Sequence, residues 1–304
     1  MQDPKLKILL TGATGFVGTN FVLTLHKKYE IIALVRQSSN VSKIDKFCKI
    51  YRYDESIESI QRVFENEKID GVVHLATRWL FAHNFDQIKG LIETNLEFGT
   101  YLLEFTKTKE LKFFINSATF GSYCDSLTYR PANLYAATKK AFEDIMYYYS
   151  LSSKTIFTSL LLFNNYGNYD TKYLFSYLNK ISKTNEELKM SDGSQIVDYS
   201  HILDVINAFD ILIKLIQEKP NFCKDKIFSL KGKERKSLKE VVELYERILG
   251  KKLNIKWGAR AKRELEINMP WEGGESLPGW EQKISLEKGF GMLVKEFKMD
   301  NDKN

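Results

Sequence analysis

Seven residues near the start of the chain, Gly12-Ala13-Thr14-Gly15-Phe16-Val17-Gly18, constrain its fold more than any others. They follow a short apolar run, Lys7-Ile8-Leu9-Leu10, and open a segment from Phe16 to Leu25 with helical apolar spacing. Glycines so spaced permit a tight strand-to-helix turn, let a ligand approach the backbone, and pack the helix against the strand. The helix N-terminus presents unpaired N–H groups and the positive end of its dipole, which suits a pyrophosphate. A glycine-rich turn without a ligand is the alternative. The strand–turn–helix setting, at the head of an alternating pattern, argues for the phosphate site.

The first half of the chain repeats this rhythm. Tyr29–Val35, Ile50–Tyr53, Gly71–Leu75, Lys112–Asn116 and Ile156–Leu162 are strand-like, while Ser56–Asn66, Ile88–Thr106 and Ala136–Tyr149 carry helical spacing. Strands alternating with helices predict a parallel sheet covered on both faces. After Phe163 helical patterns dominate, at Lys172–Ser182, Ile202–Gln217 and Leu238–Leu249. Short strand-like pieces stand at Ile227–Leu230 and Leu253–Lys256. The predicted architecture is α/β, a doubly wound parallel Rossmann sheet with a smaller mixed α/β lid. Residues 1–165 form the dinucleotide-binding domain in this division and 166–304 the substrate-binding lid, with elements free to interleave.

Composition narrows the partners. The 304 residues include 45 basic and 39 acidic side chains, a net charge of +6, and 43% are hydrophobic, which excludes a disordered or fibrous chain. No run approaches the ~20 apolar residues of a membrane helix. The lysines are scattered with no basic block, which argues against nucleic acid. Met1 to Lys5 lead almost directly into a strand, so no secretory signal is expected. Cys48, Cys124 and Cys223 are odd in number and far apart, without metal-ligand spacing. A reducing cytoplasm and no metal site are expected. The mild positive charge suits small anionic ligands. Only nine basic residues are Arg, so each Arg in a motif carries weight.

The end of the second strand bears on which dinucleotide binds. An NAD site places Asp or Glu there for the ribose hydroxyls. Here the strand ends Ala33-Leu34-Val35-Arg36-Gln37-Ser38-Ser39, with no acid. The planar Arg36 guanidinium suits a 2′-phosphate, and Ser38 or Ser39 adds a hydroxyl, so NADP(H) is expected over NAD. A solvated surface Arg36 is the alternative. Asp54, after the third strand, is placed either to accept from the adenine amino group or to cap the next helix.

Tyr135-Ala136-Ala137-Thr138-Lys139 sets Tyr and Lys on one face at the start of a helix. A tyrosine hydroxyl titrates near ~10. A neighbouring ammonium favours the phenolate and fits the Tyr for proton transfer at a carbonyl. Ser117 and Thr119, at the end of a strand, supply hydroxyls able to hold a carbonyl oxygen as charge develops. The Tyr–Lys spacing alone is weak. Its coupling to the glycine turn gives it force.

With these motifs in order, the chain resembles the extended short-chain dehydrogenase/reductase family of nucleotide-sugar epimerases, dehydratases and reductases. Gly12–Gly18 is similar to the family's TGATGFVG turn, His74-Leu75-Ala76-Thr77 to its HLAA strand end, and Asn95–Thr100 to its NxxGT helix. Phe163–Gly167 resembles the loop whose Asn, here Asn164, contacts the sugar nucleotide; Asp198–Val205 resembles the RDYIHVxD segment, and Gly279-Trp280 a late turn. The resemblance implies catalytic roles for Ser117, Thr119, Tyr135 and Lys139, with Lys139 also holding the nicotinamide ribose. It implies cofactor contacts at Gly12, Thr14, Gly15, Phe16, Val17, Gly18, Leu75, Ala76, Thr77 and Asn95, beside Arg36, Ser38 and Asp54. Within the family the stretches His74–Thr77, Phe114–Ser117, Asn133–Lys139 and Arg263–Ile267 are most similar to the CDP-abequose and CDP-paratose synthases.

Three departures matter. Val197 stands where the family carries an Arg for the substrate diphosphate, Leu161 where an Arg often precedes the Asn loop, and Tyr166-Gly167-Asn168-Tyr169 replaces the VYGPG turn. Arg263, or Arg260, must then carry more of the diphosphate charge, or the substrate differs. Arg78 and His83 follow the fourth strand, near the expected substrate, or are solvated. The family's dehydratases carry Asp-Glu after the catalytic Thr; here Ala118-Thr119 follows Ser117, so elimination lacks its acid. The resemblance implies an NADPH-dependent reduction of the 4-keto group of a nucleotide-linked 6-deoxy or 3,6-dideoxy sugar, in surface polysaccharide sugar biosynthesis. Its rivals are a 4-epimerase holding NAD tightly and a non-catalytic NADP-sensing module. A homodimer through Ile88–Thr106 and Ala136–Tyr149 is implied too, although the stripe Met146–Tyr149 fits a core face equally well.

Overall fold

A computed structural model describes residues 4–170 and 174–301. Met1–Asp3 and the first two residues of the helix predicted from Lys172 lie outside the described residues. The first half runs β1 (Lys7–Thr11), α1 (Phe16–Leu25), β2 (Glu30–Arg36), β3 (Lys49–Tyr53), α2 (Ile57–Asn66), β4 (Gly71–His74), α3 (Ile88–Ile92), α4 (Phe98–Thr108), β5 (Phe113–Thr119), α5 (Leu134–Ser152) and β6 (Ile156–Leu162). Then follow β7 (Asn164–Tyr166), α6 (Leu174–Thr184), β8 (Leu188–Lys189), β9 (Ile196–His201), α7 (Ile202–Glu218), α8 (Pro220–Cys223) and β10 (Lys226–Ser229). The last elements are β11 (Arg235–Ser237), α9 (Leu238–Leu249), β12 (Ile255–Lys256), β13 (Glu275–Ser276) and α10 (Leu286–Asn301).

Eight strands form one parallel sheet in the order β13-β10-β6-β5-β4-β1-β2-β3. The strand order reverses between β1 and β4, and sheets of this kind bind ligands at the carboxyl ends beside such a reversal. The strands are buried runs because both faces are covered. One face packs α1 and α7, with Phe21 edge-on to Phe209 at 5.9 Å. The other packs α2, α4 and α5.

The chain leaves this sheet after β6 and returns to it with α7, β10 and β13. Between these passages stands a second core of α6, α9 and α10 around Tyr166, Phe175, Tyr245 and Phe290, with a three-stranded sheet β11-β9-β7 and a small β12–β8 pair. Residues 259–274 form a strap from β12 back to β13. Asp125 of the main domain accepts from the Asn268 backbone and side-chain nitrogens, both at 2.7 Å, and from Met269 N at 2.9 Å. Trp271 stacks on Tyr123, ring centroids 3.8 Å apart.

The helix predicted over 88–106 is interrupted. Residues Glu93–Glu97 form a wider π turn between α3 and α4. Asn95 lies at its centre, 3% exposed. Its Oδ1 accepts from Arg78 N at 2.7 Å and Thr77 Oγ1 at 3.2 Å, and its Nδ2 donates to Thr138 Oγ1 at 2.9 Å. A wide turn aims this one side chain at both the loop after β4 and α5, and such turns are frequent at functional sites.

Candidate active site

The glycine turn is built by close approach. Gly12 has φ +68, and a Cβ there would lie 2.6 Å from the Ala76 nitrogen. A Cβ on Gly18 would lie 2.2 Å from the Gly12 carbonyl oxygen. The turn therefore nests against the Leu75-Ala76 end of β4, whose Ala76 N donates to Thr11 Oγ1 at 3.2 Å. Gly15 caps α1 without a side-chain hydrogen bond, and the first turn holds no acid. Thr14, Phe16 and Val17 flank this cradle, partly exposed. A side-chain-free turn leading into an uncapped helix start fits the pyrophosphate of a dinucleotide.

Beside it, the ends of β5 and α5 converge. Asn133 caps α5, accepting from Ala136 N at 2.9 Å, and Tyr135 follows in the first turn, half-buried. Lys139, one turn on, is 3% exposed and donates to Asn116 Oδ1 at 3.4 Å. Asn116 in turn donates to Ser159 Oγ at 3.2 Å. Burial pulls the Lys139 ammonium down to about 8, and Glu143, one turn further, works against that fall. Burial pushes the Glu143 carboxyl up to about 7, opposed by Lys140 and Lys139. Ser117 is buried, its hydroxyl 3.5 Å from the His74 carbonyl oxygen. Thr119 accepts from Gly121 N at 3.2 Å. His74, at the end of β4, is hydrogen-bonded to Thr11 at 2.9 Å, and burial keeps it neutral, with its pKa down at about 3.

The remaining expected residues divide. Asn95 and Thr77 meet, as above. Arg36 and Ser38 stand exposed at the end of β2. Asp54 accepts from the Ser56 backbone N at 3.2 Å and from its hydroxyl, and pairs with Arg62 at 3.2 Å. The Ser56 hydrogen bonds hold its carboxyl down at about 2. Ser56, not Asp54, is the N-cap of α2. Arg78 is turned onto α3, its guanidinium 2.1 Å from where a Gly90 Cβ would sit. His83 is exposed. Asn164 opens β7 in register with Tyr199. Arg263, on the strap, lies 3.4 Å over the Phe81 ring and so spans from the strap to the loop after β4.

Sequence reasoning missed several partners. Asn116 meets Lys139 only because β5 runs beneath α5. Asn20 of α1 donates to the Asn168 carbonyl at 2.9 Å, tying the cradle to the turn after β7. Arg52 of β3 gathers carbonyls of the loop after β2. No motif announces these; each depends on which elements the fold sets side by side. Among the described residues, no three His, Cys, Asp or Glu cluster as metal ligands, and no helix is long and apolar enough to cross a membrane.

Similar proteins carry the same plan. The CDP-abequose synthase of Salmonella muenchen is 30% identical over 301 residues, covering 97% of this chain and 99% of its own. The solved UDP-glucose 4-epimerase of Thermotoga maritima, with UDP-glucose, shares the fold at a TM-score of 0.83 and 21% identity, over 97% of this chain and 100% of that one. The UDP-glucuronic acid 4-epimerase of Bacillus cereus, solved with UDP-glucuronic acid and NAD, matches at 0.83 and 21%, over 97% and 99%. The pattern of the NAD dependent epimerase/dehydratase family matches residues 8–223. With its parallel sheet, glycine cradle and Tyr–Lys helix, the chain belongs to the NAD dependent epimerase/dehydratase family, the extended short-chain dehydrogenase/reductases, and is an NAD(P)-dependent oxidoreductase-type enzyme.

Proposed function

We propose that the protein is an NADPH-dependent reductase of the 4-keto group of a nucleotide-linked 6-deoxy or 3,6-dideoxy sugar. The observation that carries this reading is the buried Lys139 one turn beyond Tyr135, beside the Ser117 and Thr119 end of β5 and the glycine cradle. The reduced nicotinamide, when bound, supplies hydride to the carbonyl carbon. Tyr135 gives its proton to the carbonyl oxygen, so ketone becomes alcohol. Lys139 stabilises the phenolate left behind, and Asn116 orients Lys139. Ser117 and Thr119 hold the ketone oxygen as charge gathers on it. Arg263, with Asn164, takes the substrate diphosphate in place of the Arg absent at Val197.

Reduction is favoured over epimerisation because Arg36 stands where an NAD site would place an acid. An epimerase returns its hydride and consumes no dinucleotide; a reductase consumes one per turnover. The likeness to CDP-abequose synthase supports the same choice, while the likeness to epimerases supports the rival. We include a homodimer in this reading. Tyr147, Tyr148 and Leu151 of α5 are 57%, 58% and 69% exposed, an aromatic and aliphatic face that supports pairing of two copies. Deuterium-labelled NADPH tests the reaction: the label is expected at C4 of the product sugar, with one dinucleotide oxidised per sugar. Sugar inverted at C4 with NADPH untouched would overturn it.

A further inference from the structure

We propose that Arg52 is the positioning residue of a 2′-phosphate site at the end of β2, a role that rests on the NADPH reading above. Arg52 lies on β3 in register with Val35, while Arg36 is in register with Tyr53. One Arg52 guanidinium nitrogen donates to the carbonyl oxygens of Arg36 at 3.0 Å, Gln37 at 3.1 Å and Ser39 at 2.8 Å. Ser39 N donates back to the Arg36 carbonyl at 3.0 Å, which closes the loop into a turn. Further along the same loop, Lys43 sits 4.9 Å over the Tyr169 ring, beside the Asn168 carbonyl held by Asn20.

Three carbonyl oxygens at one strand end form a negative patch, and a phosphate dianion brought there is repelled. Arg52 draws all three to its own side of the loop. The exposed Arg36 and Ser38 side chains are then left to meet a phosphate while the carbonyls are engaged by Arg52. Arg36 is a direct ligand in this scheme; Arg52 acts through the loop. The sequence requirement for NADP selectivity is therefore two arginines on adjacent strands, one of which carries no motif.

Calorimetric titration with 2′,5′-ADP and with 5′-AMP, using the full chain without substrate, separates the possibilities. Wild type is expected to bind 2′,5′-ADP more tightly than 5′-AMP. Arg52→Ala is expected to weaken 2′,5′-ADP about tenfold, the scale of one lost charge-assisted hydrogen bond, while 5′-AMP affinity changes less than about twofold. A wild type that does not distinguish the two nucleotides overturns the NADPH reading itself. A wild type that distinguishes them, with an Arg52→Ala variant that does so equally well, overturns only the role of Arg52. Equal weakening of both nucleotides also overturns it, since that marks a general loss of structure. If the alanine chain does not fold, Arg52→Lys carries the same comparison. Its single ammonium cannot span three carbonyls, so a selective loss of about threefold is expected, and no selective loss contradicts the role.

Discussion

Lys139 holds a charge that its surroundings resist, and that tension is visible in both stability and activity. Its ammonium is buried, and its pKa falls from 10.5 to about 8. Below pH 8 folded and unfolded chains both carry the proton, so the cost of burying the charge is constant. Between pH 8 and 10.5 the unfolded chain binds more protons, and stability rises with pH until the cost is gone. Lys139→Met is therefore expected to be more stable than wild type at pH 7, by on the order of 1–2 kcal/mol, in urea denaturation, and to lose turnover. The activity runs the other way. The charged Lys139 and protonated Tyr135 are both needed, so kcat/KM is expected to fall as pH rises past about 8, where Lys139 loses its proton. A profile flat to pH 9.5 or so contradicts the pairing. The Tyr135–Lys139 spacing was legible because both ends lie on one helix. The partner that orients Lys139, Asn116, was not, since its contact depends on which strand passes beneath α5.

Among the elements, the strand and helix pattern of the parallel sheet was largely readable, because buried parallel strands are continuous apolar runs. The six strands from β1 to β6 stand where the sequence predicts them, and β5 runs on to Thr119. The π turn at Glu93–Glu97 was not readable: its sequence keeps a helical apolar spacing, and only the tertiary partners of Asn95 widen the turn. Asn95→Ala removes bonds to Thr77, Arg78 and Thr138 and is expected to cost about 2–3 kcal/mol of stability; denaturant midpoints measure it. The C-terminal helix α10 is absent from the sequence reading, although Leu286, Phe290, Leu293 and Val294 follow helical spacing and are buried in the second core. Gly289 is there for packing: a Cβ would lie 2.0 Å from the Tyr166 hydroxyl oxygen. The glycine turn is stricter still. Gly12→Ala would drive a Cβ into the Leu75-Ala76 backbone just after β4, and the variant is expected to lose dinucleotide binding by at least about a hundredfold in fluorescence titration.

The described residues form a large sheet and a smaller second core, and the chain passes between them more than once. Composition and periodicity locate the sheet; the strap at residues 259–274 has no period, yet it carries Arg263 and Trp271 onto the main domain. Its anchoring on Asp125 and Phe81 is a fact of tertiary contact alone. The pairing of two copies through α5 belongs at this scale as well. Sedimentation is expected to give about twice 35.4 kDa, and Tyr147→Glu with Leu151→Glu is expected to halve it without lowering the unfolding temperature. The central claim is the reduction itself. Following NADPH oxidation by purified protein against a panel of CDP-, dTDP- and GDP-linked 4-keto-6-deoxy sugars tests it most directly. The account predicts oxidation with at least one of these ketones and none with Tyr135→Phe; no oxidation with any of them would contradict it.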